Sequence, residues 1–479
     1  MSERTIARNI RRLTFTIAIA FLITSIGVGY WSLVAASDLN ADPFNPRLIA
    51  AVRDRPRGKI VDSSGRVLAE SVKDGEAYRR RYSDPSVAQV VGYASFKYGA
   101  SGAEGAYQAS LIGQDPSDLL GQWKARYLGE RTEPGSVVLG LDPKAQQAAV
   151  AALAGKRGAI VALDPKTGRI LASVSLPSYD PNALVDPQQQ DAAWGQLNDN
   201  KDRPLINRVA QGLYPPGSTM KIITAAAALE SGFDPNQKIR VDDPFQADKS
   251  WGDYFVRSSS GSHGDFDMSL AFQRSENIYF AKIGLAIGAP KLSDMAKKFG
   301  IGHAPPLDLQ AAKGQLSNGG TIDRPTLLAD TSYGQGELLT SPLQMAMVAA
   351  TVGNHGVQVQ PHYAMEIRDP SGGVLRTVGG GAGDQIISAT TAGKLTTYLV
   401  QAVEAAGAFA FGAKITGVHV AGKTGTAETP SGSPHGWFVG FAPAEDPQVA
   451  VAVIVENAGQ GGVDAAPLGG AVMRAVLAK

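Results

Sequence analysis

Residues 13–37 carry no charged side chain, and Arg4, Arg8, Arg11 and Arg12 crowd the short segment before them. About 20 apolar residues are enough for a helix to cross the hydrocarbon core of a bilayer. No other stretch of the chain is as long and as apolar. The remainder must therefore fold as one large water-soluble part on a single side of the membrane. The arginines ahead of the stretch and Asp38 behind it put the N-terminus in the cytoplasm, because cationic flanks stay inside. A cleaved signal peptide competes with this reading, with Val34-Ala35-Ala36 as a weak cleavage site. The apolar region of a signal is about 7–15 residues, and this one is longer. A buried core helix would leave the arginine cluster unexplained. The stretch is accordingly read as an uncleaved single-pass anchor behind a cytoplasmic tail, residues 1–12.

At 479 residues the chain has room for two or three domains. A net charge of +1 offers no electrostatic footprint for nucleic acid. With no cysteine, thiol catalysis, disulfides and thiolate zinc sites are excluded. The six histidines, at 263, 303, 355, 362, 419 and 435, show no metal-ligand spacing, and no metal is expected.

The part beyond the anchor has an internal order. Residues 38–56 are polar, hold Pro43, Pro46 and Pro56, and read as a linker. Ile60-Val61 and Val67-Leu68 flank an Asp-Ser-Ser-Gly turn and predict a hairpin. A larger region opens near Val137. Asp142-Pro143 predicts a capped helix through residues 145–153. Residues 158–163 and 170–174 predict a second hairpin around the turn 164–168. Near the C-terminus, residues 418–427, 436–442 and 449–456 predict strands, and 465–479 a closing helix, with no module expected after it. Strands at both ends and helices between them predict an α+β layered body around one antiparallel sheet built from distant segments.

Three short motifs fall into that body in order: Ser218-Thr219-Met220-Lys221, Ser275-Glu276-Asn277 and Lys423-Thr424-Gly425. Tyr214-Pro215-Pro216-Gly217 stops any preceding element, and an alanine-rich helical run, 219–230, follows Ser218. Ser218 and Lys221 then share a helical face. A serine hydroxyl needs a base to become a nucleophile. A buried lysine can lose its proton readily enough to serve, so Lys221 is the candidate base for acylation. Ser275 can relay a proton between Lys221 and a leaving amine. Asn277 can hold an amide through both its donor and its acceptor. An edge strand through Lys423 can pair with an extended peptide, Gly425 lets a backbone approach, and Lys423, Thr424 and Thr426 offer a charge and hydroxyls to a carboxylate.

The three motifs form the S-x-x-K, S-x-N, K-T-G set shared by penicillin-binding proteins and class A β-lactamases. The chain resembles the class B penicillin-binding transpeptidases over nearly its whole length, and most closely the short actinobacterial type. Arg57-Gly58-Lys59-Ile60-Val61-Asp62, continuing to Leu68-Ala69, and the string from Gly99 to Gly113 through Glu104, resemble the non-catalytic pedestal domain of that family. The resemblance implies a small mostly-β pedestal, dimerisation-type, over residues 38–136. It implies a transpeptidase domain over 137–479, with a five-stranded antiparallel sheet and packed helices. It implies an oxyanion hole formed by the backbone N–H groups of Ser218 and Thr426, and no role for the middle Glu276. Asn207-Arg208, Gly334-Gln335-Gly336 and 340–344 also match the family, which places the last two near the base of the domain. They are read as structural, with Thr340-Ser341-Pro342 capping a helix.

The implied activity is peptidoglycan D,D-transpeptidation. The enzyme would attack D-Ala-D-Ala stem peptides through an acyl-enzyme, and β-lactams would block it covalently. A D,D-carboxypeptidase or β-lactamase on the same fold is the alternative. Class A β-lactamases use a glutamate-activated water, for which the sequence offers no equivalent, and they are soluble and shorter. A non-catalytic wall-synthesis scaffold would not need the catalytic groups, and a β-lactam sensor would need a cytoplasmic output domain. No cofactor is expected. Expected partners are the cytoplasmic membrane, a polytopic glycosyltransferase and other wall-synthesis proteins, with the catalytic part extracytoplasmic.

Overall fold

The computed structural model describes residues 3–35, 55–75, 77–128, 132–381, 383–429 and 432–478. The expected linker lies outside the described residues apart from Arg55 and Pro56, as does Ala36 of the weak cleavage string. Helix α1, Glu3–Gly29, starts within the arginine-rich segment and runs on into a wider turn, Tyr30–Val34. Its apolar part, Asn9–Ser32, has a mean hydropathy of 1.9 and is not buried by any of the described residues. A free-standing apolar helix of 24 residues matches the thickness of a bilayer core and marks a candidate membrane anchor.

The first sheet begins with the expected hairpin. Strands β1 (Ile60–Val61) and β2 (Val67–Asp74) pair antiparallel, and β3 (Ala77–Tyr82) continues the meander. The sheet does not end where the pedestal string ends. Strand β4, Ser136–Leu139, runs parallel to β1. On its other side β4 pairs with a strand from far along the chain, residues 364–368, so the expected division at 136/137 falls inside a sheet the two parts share. The two strings that resemble the pedestal meet at an ion pair. Arg57 lies 2.9 Å from Glu104, and Arg80 holds the other carboxylate oxygen at 2.5 Å. All three are buried. Burial alone would raise the Glu104 carboxyl, but the two guanidinium groups outweigh it and hold the group ionised, below its ordinary range.

The second sheet holds the core. Helix α2, Pro143–Leu153, is capped by Asp142, whose carboxylate accepts from the N–H groups of Lys144 and Ala145. Hairpin β5 (Gly158–Leu163) and β6 (Ile170–Leu176) follows. The helices that matter for the site come next: α3 (Lys221–Glu230), α4 (Asn277–Ile287), α5 (Pro325–Tyr333) and α6 (Pro342–Gly353). Strands β7 (Ala364–Arg368) and β8 (Val374–Thr377) then complete the first sheet in the order β8-β7-β4-β1-β2-β3. Helix α7 (Ala389–Glu404) leads to β9 (Ala421–Thr429), β10 (Gly432–Ala442), β11 (Val449–Val455) and the closing α8 (Ala466–Leu477).

The second sheet has the order β9-β10-β11-β5-β6, antiparallel throughout, with β9 at an edge. Alternate residues of each strand face opposite sides. Ile160 and Val451 pack with Leu153 and Met473 from α2 and α8 on one face. Val161 and Ala452 face the other side, where α6 lies buried from end to end. Helices cover both faces of the sheet, which is the layered α+β body the strand pattern predicts.

Candidate active site

Ser218 sits in a tight turn, Gly217–Met220, of 3₁₀ type rather than at the start of the expected helix, which begins at Lys221. The tighter winding has a chemical effect. Side chains at i and i+3 eclipse in such a turn, so Lys221 stands directly over Ser218. Its amine lies 2.9 Å from Ser218 Oγ. The turn is held from three sides. Trp437 Nε1 donates to the Pro215 carbonyl at 2.9 Å. Gly217 N–H donates to the Gly334 carbonyl at 2.9 Å, and Tyr214 exchanges backbone bonds with Thr340. Tyr214 also donates to Glu456, a half-buried carboxylate that Arg208 and Arg157 bind at 2.8 and 2.6 Å.

These contacts revise the reading of Gly334-Gln335-Gly336 and Thr340. They lie against the nucleophile turn, not away at the base of the domain. Gly334 has φ +94°, and a β-carbon there would sit 1.8 Å from the Gly217 carbonyl oxygen. No other residue fits that approach. Ser341 and Gln344 form the expected capping box on α6.

The second motif arrives through a backbone kink. Ser275 has φ +52°, a left-handed conformation uncommon outside glycine, and is buried. The kink turns its carbonyl and its hydroxyl toward the two lysines. Lys221 Nζ lies 2.6 Å from Ser275 O, 3.3 Å from Ser275 Oγ and 2.7 Å from Asn277 Oδ1. Lys423 Nζ, from β9, lies 2.7 Å from Ser275 Oγ and 3.0 Å from the Thr424 carbonyl. Asn277 uses its amide nitrogen on the Arg257 carbonyl at 3.1 Å.

Both lysine side chains are buried. Burial, then the nearby charge of Lys423, pushes Lys221 well below the ordinary lysine range, against a smaller opposing pull from Glu276. Burial lowers Lys423 to about 7. The contact set around Lys221 fits an uncharged amine. Two neighbours, Ser275 O and Asn277 Oδ1, are acceptors only and take its two N–H bonds. In the uncharged form the lone pair is then left to accept from the Ser218 hydroxyl, whereas a protonated amine donates to Ser218 Oγ instead.

Strand β9 packs on the nucleophile turn. A β-carbon at Gly425 would meet the Pro216 carbonyl at 2.8 Å and one at Gly217 would meet the Thr426 carbonyl at 2.8 Å. Gly425 is thus required by the enzyme's own turn, where the sequence suggests room for a substrate. Thr426 is exposed beside that turn, and Thr424 is buried. The structure brings together all eight residues singled out in the sequence. It adds Glu276, fully buried, as the cap of α4: its side chain accepts from the Ile278 N–H at 3.1 Å. An acidic residue directly before a helix of apolar residues is the signal that could have found it.

Residues 158–474 match the family described as penicillin binding protein transpeptidase domain, and residues 57–137 match the penicillin binding protein A dimerisation domain. The chain is 37% identical to the peptidoglycan D,D-transpeptidase PbpA of Mycolicibacterium smegmatis, over 98% of this chain and 99% of that one. It is 36% identical to PbpA of Mycobacterium tuberculosis over the same shares. The ceftriaxone acyl-enzyme complex of penicillin-binding protein A from M. tuberculosis superposes with a TM-score of 0.83 at 35% identity, covering 90% of this chain and 100% of that one. Its penicillin G acyl-enzyme complex superposes with a TM-score of 0.80 at 36% identity, covering 88% and 100%.

Proposed function

The chain belongs to the class B penicillin-binding transpeptidases, within their actinobacterial D,D-transpeptidases, and from that premise we propose that it cross-links peptidoglycan stem peptides through an ester on Ser218. The single observation that carries the assignment of roles is the Lys221 amine, fully buried and 2.9 Å from Ser218 Oγ with its N–H bonds already taken.

The steps follow from the donors and acceptors. Uncharged Lys221 takes the Ser218 proton as Oγ attacks the carbonyl carbon of the penultimate D-alanine. The carbonyl oxygen becomes an oxyanion, which the backbone N–H groups of Ser218 and Thr426 stabilise. The C–N bond breaks, and the proton passes through the Ser275 hydroxyl, which touches both lysines, to the departing D-alanine nitrogen. The acceptor amine then attacks the ester, gives up a proton by the same route, and returns Oγ–H to Ser218. Asn277 and the β9 edge hold the peptide, and Lys423, Thr424 and Thr426 receive its terminal carboxylate. A β-lactam enters the same cycle and stops at the ester.

In this reading α1 is a single-pass anchor, with its N-terminus in the cytoplasm and the catalytic part outside. Peptidoglycan strands, the membrane and a polytopic glycosyltransferase are its partners. Incubation of the full chain with a D-Ala-D-Ala pentapeptide and an acceptor amine tests the reaction. Cross-linked product and free D-alanine in equal amounts are expected. D-alanine with only hydrolysed peptide would make it a carboxypeptidase.

A further inference from the structure

The middle residue of the Ser-x-Asn motif is fully buried and charged, and the acyl-transfer steps leave it idle. Its two carboxylate oxygens are spent on two different elements. One accepts from the Ile278 N–H at the start of α4. The other accepts from the Ser258 hydroxyl at 2.7 Å. Ser258 Oγ in turn accepts from the N–H groups of Ser262 and Ser260, at 2.9 and 3.3 Å, and so shapes the serine-rich loop 257–263. That loop lies on the catalytic turn. Ser259 Oγ donates to the Ser275 carbonyl at 2.6 Å, the same oxygen that Lys221 uses, and the Arg257 carbonyl receives the Asn277 amide.

We propose that Glu276 is a positioning residue: it binds the serine-rich loop to the start of α4, and the loop then holds the left-handed Ser275 and the Asn277 amide against Lys221. This inference rests on Ser218 being acylated. Ser275 has no glycine's freedom at φ +52°, so its kink persists only if its surroundings impose it. Ser259 from the loop and the cap of α4 on the next residue do so together with the Ser275 and Glu276 backbone bonds to Phe272 and Ala271 and the two lysine contacts. Glu276 also places a negative charge near Lys221. The charged groups that bear on Lys221 are Lys423 from β9 and Glu276. The Phe280 ring of α4, 5.7 Å from Nζ, adds no charge. Asp243 stands behind the loop, on the Ser258 N–H. Loss of the Glu276 charge leaves Lys221 facing Lys423 alone, so its uncharged form persists to lower pH.

The test is the pH dependence of acylation of the full chain by a fluorescent penicillin, with melting temperature measured alongside, for the parent, E276Q, E276A and S258A. E276Q keeps an acceptor for Ile278 and moves the acid limb to lower pH, because the negative charge that favours protonated Lys221 is gone. S258A keeps the charge and slows acylation about tenfold with the limb unmoved. E276A does both. Three variants that follow the parent in rate and limb would overturn the proposal, as would rates that fall only with melting temperature while the limb stays fixed in E276Q. An unacylated parent would instead overturn the transpeptidase reading. If E276A does not fold, E276Q and S258A still decide.

Discussion

Lys221 and Lys423 converge on one hydroxyl, their amines 3.3 and 2.7 Å from Ser275 Oγ. Two buried amines so close disfavour each other's charged form, and the shared hydroxyl is the path between them. Ser275→Ala breaks the path but leaves Lys221 over Ser218. Acylation by penicillin is expected to fall about 10²–10⁴-fold, the usual worth of a positioned proton carrier. A stopped-flow rate equal to the parent's would remove Ser275 from the mechanism.

Lys423 makes the fold less stable than it need be. Its pKa is about 7 in the folded protein, below the ordinary lysine value of 10.5, because burial penalises the charge. The unfolded chain therefore binds the proton more tightly between those two values. Stability contributed by this group rises with pH through that window, by at most about 1.4 kcal/mol per unit. Lys423→Met is expected to unfold at higher denaturant than the parent at pH 7, with the gap closing toward pH 10, and to lose acylation. Parallel curves from pH 7 to 10 would mean that the amine is not desolvated.

Glu104 is a buried carboxylate shared by two buried guanidinium groups. Its removal leaves Arg57 and Arg80 charged and unmatched. Glu104→Ala should cost about 3–5 kcal/mol in denaturant unfolding of the pedestal sheet. An unchanged midpoint would show that water replaces the carboxylate.

At Gly334 a β-carbon would sit 1.8 Å from the Gly217 carbonyl oxygen, which leaves no space for it. Gly334→Ala must push the Gly217 carbonyl, and with it Ser218, out of line with Lys221. A displacement of about 1 Å at a reacting group costs on the order of 10²-fold, so acylation should drop by that amount in a folded protein. Full activity would show that the turn can yield elsewhere.

The catalytic side chains are legible in the sequence because chemistry fixes their type and local spacing. Ser218 and Lys221 need a spacing of three residues, with two between them, and Ser275 and Asn277 must share one turn. The local hairpins and the Asp142 cap are legible for similar reasons of short range. What escapes is long-range. Nothing in 364–377 announces that it pairs with β4 and finishes the pedestal sheet, since a strand's partner leaves no mark in its own pattern. Arg57 and Glu104 each fall in a family string, yet their contact is visible only once folded. The left-handed turn at Ser275 is hidden because serine is no signal for it, whereas Gly425 signals freedom without saying which neighbour, substrate or Pro216, requires it.

The most direct test of the account is intact-mass analysis of the full chain exposed to penicillin G, beside Ser218→Ala. The account requires a long-lived adduct of one penicillin, mapped to the peptide holding Ser218 and absent from the variant. An adduct that clears within seconds would contradict it in favour of a β-lactamase, and a folded protein that takes no adduct would contradict the acyl-enzyme itself.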